Sequence, residues 1–368
     1  MAMRIVPYAA DHVPMVARFN ARMAKAGSDW AFYEDHHPSW IPKDAVEDPS
    51  VWREYHVAVE NEAEVRGAYC LKPQRFVMNG QETWMANWQG PVSEGLVDRR
   101  YGMLALKFMS HMQGLQPNLF AWGASDKMVA LLKNLKWHCV ETPIYLRVLR
   151  GRRFAANIRA LRGSTRNRVL LDIAGTVGAA SVGFALLQRP RRRRDVRFEG
   201  VDRFGDWADA VWAAAKDSYG MIAVRDAATL NHLMAAPGWP EVEILKVSVG
   251  GRLVGWAAIR ATDMTDHVQY GDMRVGSLID CLALPGEEQA VTAAASQALA
   301  DRRVDVIATN MVHAAWDAAL KQSGFLAVPN RRLFGLSPGF GKTCGPIDAA
   351  FLAGVHLTPI DGDGPRGL

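Results

Sequence analysis

His267, Tyr270, Asp272 and Asp280 fall along one stretch that reads as strand, and His313 opens a helix. Residues two apart share a strand face, so Tyr270 and Asp272 are expected to point the same way. A carboxylate with a raised pKa in a cleft suits a general base. Tyr270 and Asp272 are therefore candidates for proton transfer, with His267 and His313 facing an acceptor that bears hydroxyl or amine groups. Taken singly, each also reads as a surface ion pair or a satisfied core polar group. Asp35-His36-His37 has no second ligand cluster in the sequence, so no metal site is expected. The sequence shows no phosphate-binding Walker pattern, no Ser-His-Asp elbow and no zinc-type cysteine set.

These groups need elements to hold them. In the first half, Arg4–Tyr8 reads as a strand, and Val13, Val16, Ala17 and Met23 follow a helical period. Trp30–Pro49 is aromatic and proline-rich and reads as a loop or broken helix. Tyr55–Glu60, Val65–Val77 and Gln81–Val92 read as strands, with a tight turn at Asn79-Gly80. Arg99–Gln113 is predicted helical, Asn118–Gly123 a strand, Ser125–Leu135 a helix and Thr142–Leu149 the closing strand. The second half repeats the order. A hairpin turns at Gly250-Gly251, His267–Leu284 holds strand, Glu287–Ala300 is helical, Val304–Thr309 a strand and His313–Gln322 a helix. Phe325–Val328 and Arg331–Leu336 are expected to finish that sheet. The fold class is α+β, two tandem units each with a twisted mixed sheet flanked by helices.

The chain has 368 residues, 49% of them hydrophobic and 22% charged, enough for two domains with real cores. The expected division is 1–150, a helical basic linker at 151–195, a second domain at 196–340 and a tail at 341–368. Net charge is +5, and Arg189, Arg191, Arg192, Arg193, Arg194 and Arg197 crowd around Pro190. That run reads as a solvated connector, with a peripheral membrane contact as the other reading and nucleic acid not expected. Val169–Gln188 is apolar but carries Asp172, Gly175, Gly178 and Gly183, so a helix packed between domains ranks ahead of surface attachment, and both ahead of spanning. Four cysteines without C-x-x-C spacing and an N-terminus without a signal pattern point to a reduced, cytoplasmic protein.

The end of each half is the most distinctive part. Leu119–Trp122 precedes Ser125–Trp137 in the first. In the second, Val306–Thr309 precedes His313–Phe325, which closes on Gly324-Phe325. Both resemble the strand–helix ending of the GNAT acetyltransferases, and finding it twice after a hairpin and long helix strengthens the resemblance.

The resemblance implies an acyl-CoA site where a strand splays from its neighbour and leads through a loop to a helix. A helix start offers unpaired N–H donors and positive dipole to a pyrophosphate. The matching segment is Gly90–Ala105. Arg99 and Gly102 fit the family pattern of Arg or Gln, two residues and Gly. Leu104 stands where a small residue is usual. By this resemblance Val92, Ser93, Asp98, Arg99, Arg100, Tyr101, Gly102, Met103 and Ser125 would hold acetyl-CoA or a longer acyl-CoA as co-substrate. Glu94, in the loop before the helix, would be a base, with Glu82 a weaker candidate. Tyr33 and His37 would lie on the acceptor-facing loop. In the second half Asp280–Gln289 has no arginine, and Glu287 and Glu288 would repel a pyrophosphate. The second unit is therefore expected to build the acceptor side, as in tandem GNAT and FemAB-like transferases with one working site. The family's proton-donating tyrosine is replaced by Leu132 and Leu320. The resemblance thus implies a CoA-dependent N-acyltransferase acting on a small-molecule, sugar or peptide amine. A FemAB-like aminoacyl-tRNA-dependent transferase and a non-catalytic GNAT-fold binding module are the alternatives.

Overall fold

Two tight turns set the register of the sheets. Asn79 and Gly80 both have positive φ and join Met78 to Gln81; Gly250 and Gly251 do the same between Val249 and Arg252. Positive φ at both central positions matches the right-handed twist of the flanking strands. The computed structural model describes residues 3–123, 126–158, 179–191, 193, 195–235, 241–328 and 333–364. The chain divides into two units: Met1–Val140 with Ala235–Pro237 and Arg332–Ile347, and Glu141–Met234 with Gly238–Arg331 and Asp348–Leu368.

The elements run β1 (Met3–Pro7), α1 (Val13–Lys25), β2 (Glu54–Glu60), β3 (Glu64–Met78), β4 (Gln81–Ser93), α2 (Leu104–Leu115), β5 (Leu119–Trp122), α3 (Asp126–Asn134) and β6 (His138–Glu141). There follow β7 (Ile144–Val148), α4 (Gly151–Asn157), α5 (Ala179–Leu187), β8 (Val196–Val201), α6 (Asp206–Ala215), β9 (Met221–Ala223), α7 (Ala227–Met234), β10 (Glu243–Val249), β11 (Arg252–Asp263) and β12 (Arg274–Ala283). The chain ends with α8 (Glu288–Asp301), β13 (Val306–Asn310), α9 (Ala314–Gln322), β14 (Leu326–Val328), β15 (Leu333–Leu336), α10 (Pro338–Cys344), α11 (Ala349–Ala353) and β16 (Val355–His356).

The first sheet has nine strands, with the main order β1-β2-β3-β4-β5-β15-β6 and the parallel pair β9 and β16 off that path, and the second has the order β8-β10-β11-β12-β13-β7-β14. The two orders superpose element for element, so the repeated element order read from the sequence is a repeated topology. One expectation is corrected. β7 does not close the first sheet but pairs antiparallel with β13 and β14 of the second. β15 in turn pairs with β5 of the first. Each unit has taken its penultimate strand from the far end of the other half of the sequence. Short apolar strands satisfy either sheet, because cross-strand packing rather than sequence distance decides pairing.

On one face of the first sheet α1 buries Val16, Phe19 and Met23, at spacings of three and four, against Val57, Val65, Ala68 and Cys70. On the other, α2 buries Leu104, Phe108 and Met112 against Tyr69, Leu71 and Trp88. Each such side chain contributes about 1.5–3 kcal/mol by leaving water. Leu132 of α3 is fully buried in that second cluster, and Leu320 of α9 is fully buried in the second unit. The places of the missing tyrosines are core positions.

The apolar stretch 169–188 is described from 179 onward, where Ala179–Leu187 forms α5; residues 169–178 lie outside the described residues. Among the described residues no helix is long and apolar enough to cross a membrane. The arginine run is not free of the second unit. Arg193 pairs with Glu287 at 2.5 Å, and the Arg191 N–H donates to the Gln322 carbonyl at 2.8 Å. Arg192 and Arg194 lie outside the described residues.

Candidate functional site

β4 and β5 are parallel and pair at two positions only, Ala86 with Leu119 and Asn87 with Phe120. Beyond Asn87 the strands part. The cause is local to β4. Opposite β3, Cys70 pairs with Gln89 and Ala68 with Val92, so Gly90 and Pro91 together face Tyr69. This is a β-bulge, which bends the strand that carries it. Proline cannot donate to a ladder, and Gly90 takes a φ of +50. A Cβ at Gly90, or at Gly123 just past β5, would meet nothing within 4 Å.

From the bulge the chain runs into two short 3-10 turns and then α2. The Ser93 hydroxyl accepts from the Gly95 N–H at 3.0 Å, and the Asp98 carboxylate accepts from the Arg100 N–H at 3.0 Å, capping each turn. Gly95 is required by space, since a Cβ there would lie 2.5 Å from the Tyr101 carbonyl oxygen. Gly102 ends the second turn and Met103 caps α2, whose first N–H groups have no intrahelical acceptor. Arg99 is exposed beside them. Arg100 is spent on Asp98 at 2.6 Å, and this pairing holds the Asp98 carboxyl below the usual carboxylate range. Ser125 lies outside the described residues.

Glu94 is buried under this loop. Its oxygens accept from Arg22 at 2.9 and 3.3 Å and from Arg66 at 3.1 and 3.3 Å. Arg66 also pairs with Glu60 at 2.8 Å, to which the Tyr101 hydroxyl donates at 3.0 Å. Burial opposes ionisation of Glu60, but the Arg66 and Tyr101 hydrogen bonds outweigh it and hold the carboxyl low. The geometry gives Glu94 and Tyr101 the task of fixing the loop to α1 and β3. Glu82 is exposed near the start of β4, away from the bulge.

The sequence reading missed a polar row on the α1 face of the sheet at the split. Asn87 is buried at the last paired position, and its Nδ2 has no hydrogen-bond partner among the described residues. Two residues on, Gln89 Oε1 accepts from Arg53 Nε at 3.0 Å. Lys72 and Gln74 of β3 are fully buried on the same strand face. Polar residues inside otherwise apolar strands, next to a Gly-Pro, were the available signal. Tyr33 stacks on Tyr55 at 4.9 Å, and His37 pairs with Asp44 at 3.3 Å. His37 lines a cleft of about 390 Å³ with Tyr8, His36, Arg53 and Tyr55. Burial, with Asp35 and Glu34 nearby, pushes the Tyr8 phenol up to about 12.

The second unit repeats the bulge and the split. Ala258 pairs with Asp280 and Ile259 with Leu278, leaving Ile279 extra, and β12 and β13 pair only from Val275 to Ser277. Here the gap is filled. Leu357 bridges to Val312, beyond the end of β13. The Thr358 hydroxyl donates to Asp280 of β12 at 2.8 Å. Arg225 lies between Asp280 at 2.9 Å and Asp361 at 2.7 Å, all three fully buried. Val355, His356, Leu357, Thr358 and Ile360 are fully buried as well. The chain's own C-terminal segment occupies the place where a donor would enter. The acidic helix start is a weaker bar than the sequence suggested, because Glu287 is neutralised by Arg252 at 2.8 Å as well as by Arg193.

The expected acceptor set does not converge. β12 and β13 are parallel; His267, Tyr270 and Asp272 precede the first, while His313 follows the second. The two groups therefore stand at opposite ends of the strand pair. Tyr270 is buried in an apolar cluster with Phe154, Ile158 and Met273, its ring stacked on His267. Asp272 accepts from the Asp266 N–H at 2.8 Å and shapes its own loop. His313 packs on Tyr219, and burial lowers its pKa to about 4.

No family model matches the chain, and no curated protein matches it in sequence. Solved structures do match. Saccharomyces cerevisiae N-myristoyltransferase with bound myristoyl-CoA and inhibitors aligns with a TM-score of 0.51 at 9% identity, over 91% of this chain and 79% of that one. A GCN5-related N-acetyltransferase from Anabaena variabilis aligns at 0.50 and 10% identity, over 91% and 72%. A GCN5-related glucosamine N-acetyltransferase region of a fungal multi-domain GH3 β-N-acetylglucosaminidase aligns at 0.51 and 12% identity, over 91% and 38%. At these identities the likeness is one of fold. The chain has the mixed α/β fold of the GNAT acyltransferases.

Proposed function

We propose that this chain, built on the GNAT fold, is a CoA-dependent N-acyltransferase whose first unit binds the acyl donor. The observation that carries the reading is the split between β4 and β5 at Asn87, followed by a capped loop and a helix start. An acyl-pantetheine arm laid in the split would regain the hydrogen bonds that the parted strand edges have lost. Its pyrophosphate would meet the N–H groups opening α2, with Arg99 supplying charge. The N-myristoyltransferase of the same fold carries myristoyl-CoA, which supports acetyl or longer acyl-CoA as co-substrate here.

The chemistry assigned to the site is attack of a neutral amine on the thioester carbonyl. The C–N bond forms, the C–S bond breaks, the thiolate leaves and the amine proton passes to solvent. Asn87 Nδ2, buried and without a hydrogen-bond partner among the described residues, would stabilise the carbonyl oxygen as charge develops. A thiolate leaves readily, so core leucines at 132 and 320 do not bar turnover by positioning alone. The acceptor is a small-molecule, sugar or peptide amine, entering on the face of Arg53, Tyr55 and His37. The test is thiol release from acetyl-CoA and myristoyl-CoA with a panel of such amines. Asn87→Ala should lower kcat about 10²-fold with little change in donor KM. Donor binding without thiol release for any amine would favour the binding module.

A further inference from the structure

The middle of α8 lines a cleft that the acyl-transfer reading does not use. The cleft measures about 670 Å³ and lies wholly within the second unit. That volume is in the range of small-molecule sites. Val196 and Phe198 of β8 and Ala293, Ala294 and Ala300 of α8 give it apolar walls, the alanines leaving the room. Two of its polar side chains, Arg147 and Ser296, are without partners among the described residues. Arg147, reaching in from β7, makes no hydrogen bond or ion pair with its guanidinium among the described residues. Burial alone pushes its pKa down, with no carboxylate offsetting the cost. Ser296 is fully buried and its hydroxyl has no partner among the described residues. Arg191 lines the same cleft with its backbone fixed, its N–H on Gln322 and its carbonyl accepting from Gln289 at 3.0 Å. Arg193 is already matched, by Glu287.

A half-buried guanidinium without a counter-ion among the described residues calls for an oxyanion, which a planar fork binds in two-point fashion. The apolar walls call for a hydrocarbon or aromatic body behind that head. We propose that this cleft is a second ligand site, taking a small molecule with a carboxylate or phosphate head on Arg147 and an apolar body along α8. The site stands independently of acyl transfer in the first unit, since it shares no residue with the β4–β5 split or the loop before α2.

The test uses the full chain and calorimetric titration with octanoate, octyl phosphate, octylamine and octanol. One or both anions should bind with a Kd below about 1 mM, and whichever binds more tightly identifies the head group. Octylamine and octanol should bind at least about tenfold more weakly. Arg147→Gln should weaken the anion about tenfold or more. Ala293→Phe keeps the arginine but fills the cleft, and should do the same; it carries the test if Arg147→Gln does not fold. The proposal is overturned if neither anion binds below that limit. It is equally overturned if octanol binds as tightly, or if the anion binds Ala293→Phe as it binds the parent chain.

Discussion

The chain splits a parallel strand pair twice and treats the two gaps in opposite ways. In the first unit β4 and β5 part after Asn87 and Phe120, and the space beside Gly90 and Gly123 is open. In the second, β12 and β13 part after Ser277 and Ala308, and the flanking Ile279, Asp280, Asn310 and Met311 are all buried. The difference is the segment 355–361, which pairs with one side of the gap and salt-links to the other. The same topology thus leaves one gap open and makes the other part of a core. Charge alone did not separate them, since Glu287 is neutralised in place. What separates them is whether the chain itself fills the gap between the parted strands.

That comparison can be broken most severely at Arg225. Among the described residues it is the one cation between Asp280 and Asp361, and removing it leaves two buried carboxylates without their counter-ion. Arg225→Met should cost about 3–5 kcal/mol in the denaturant-induced unfolding of the second unit. Acyl-CoA affinity of the folded protein should be unchanged, because the filled gap is not the donor site.

The open gap depends instead on its loop. A side chain at position 95 would be driven into the Tyr101 carbonyl, so Gly95→Val should displace the turn and cost about 1–3 kcal/mol. Donor affinity, read by titration with acetyl-CoA, should fall about tenfold or more with it.

Acid should loosen the filled gap by a smaller amount. Burial lowers the pKa of His313 from 6.5 to about 4, and burial, with Arg225 and His313 nearby, lowers that of His356 as well. A base with a depressed folded pKa takes up protons on unfolding. The stability it lends is full above the unfolded value and is lost as pH falls from about 6.5 toward 4. Thermal unfolding between those limits should show this slope. His313→Gln should reduce it by at most about 1.4 kcal/mol per pH unit, one proton's worth.

Much of this was legible in the residues. Asn79-Gly80 and Gly250-Gly251 fixed the hairpins, and the repeat of strand, helix and strand matched the element order of both halves. The loop from Ser93 to Met103 lies within Gly90–Ala105, the segment that the GNAT resemblance marked through Arg99 and Gly102. The exchange of β7 and β15 was hidden, since an apolar strand of four or five residues fits either sheet. The link from Arg225 to Asp280 and Asp361 joins residues far apart in sequence, and no periodicity announces it. The grouping of His267, Tyr270 and Asp272 with His313 failed for a related reason. It needed the direction of β13 relative to β12, which spacing does not record.

The central claim is that one gap takes the donor and the other is closed by the chain itself. Titration calorimetry with acetyl-CoA and myristoyl-CoA on the full chain tests it directly. The account predicts one site per chain, weakened about tenfold by Arg99→Glu, which sets a negative charge beside the helix start. Two equivalent sites, or one site indifferent to Arg99→Glu and Gly95→Val, would contradict it.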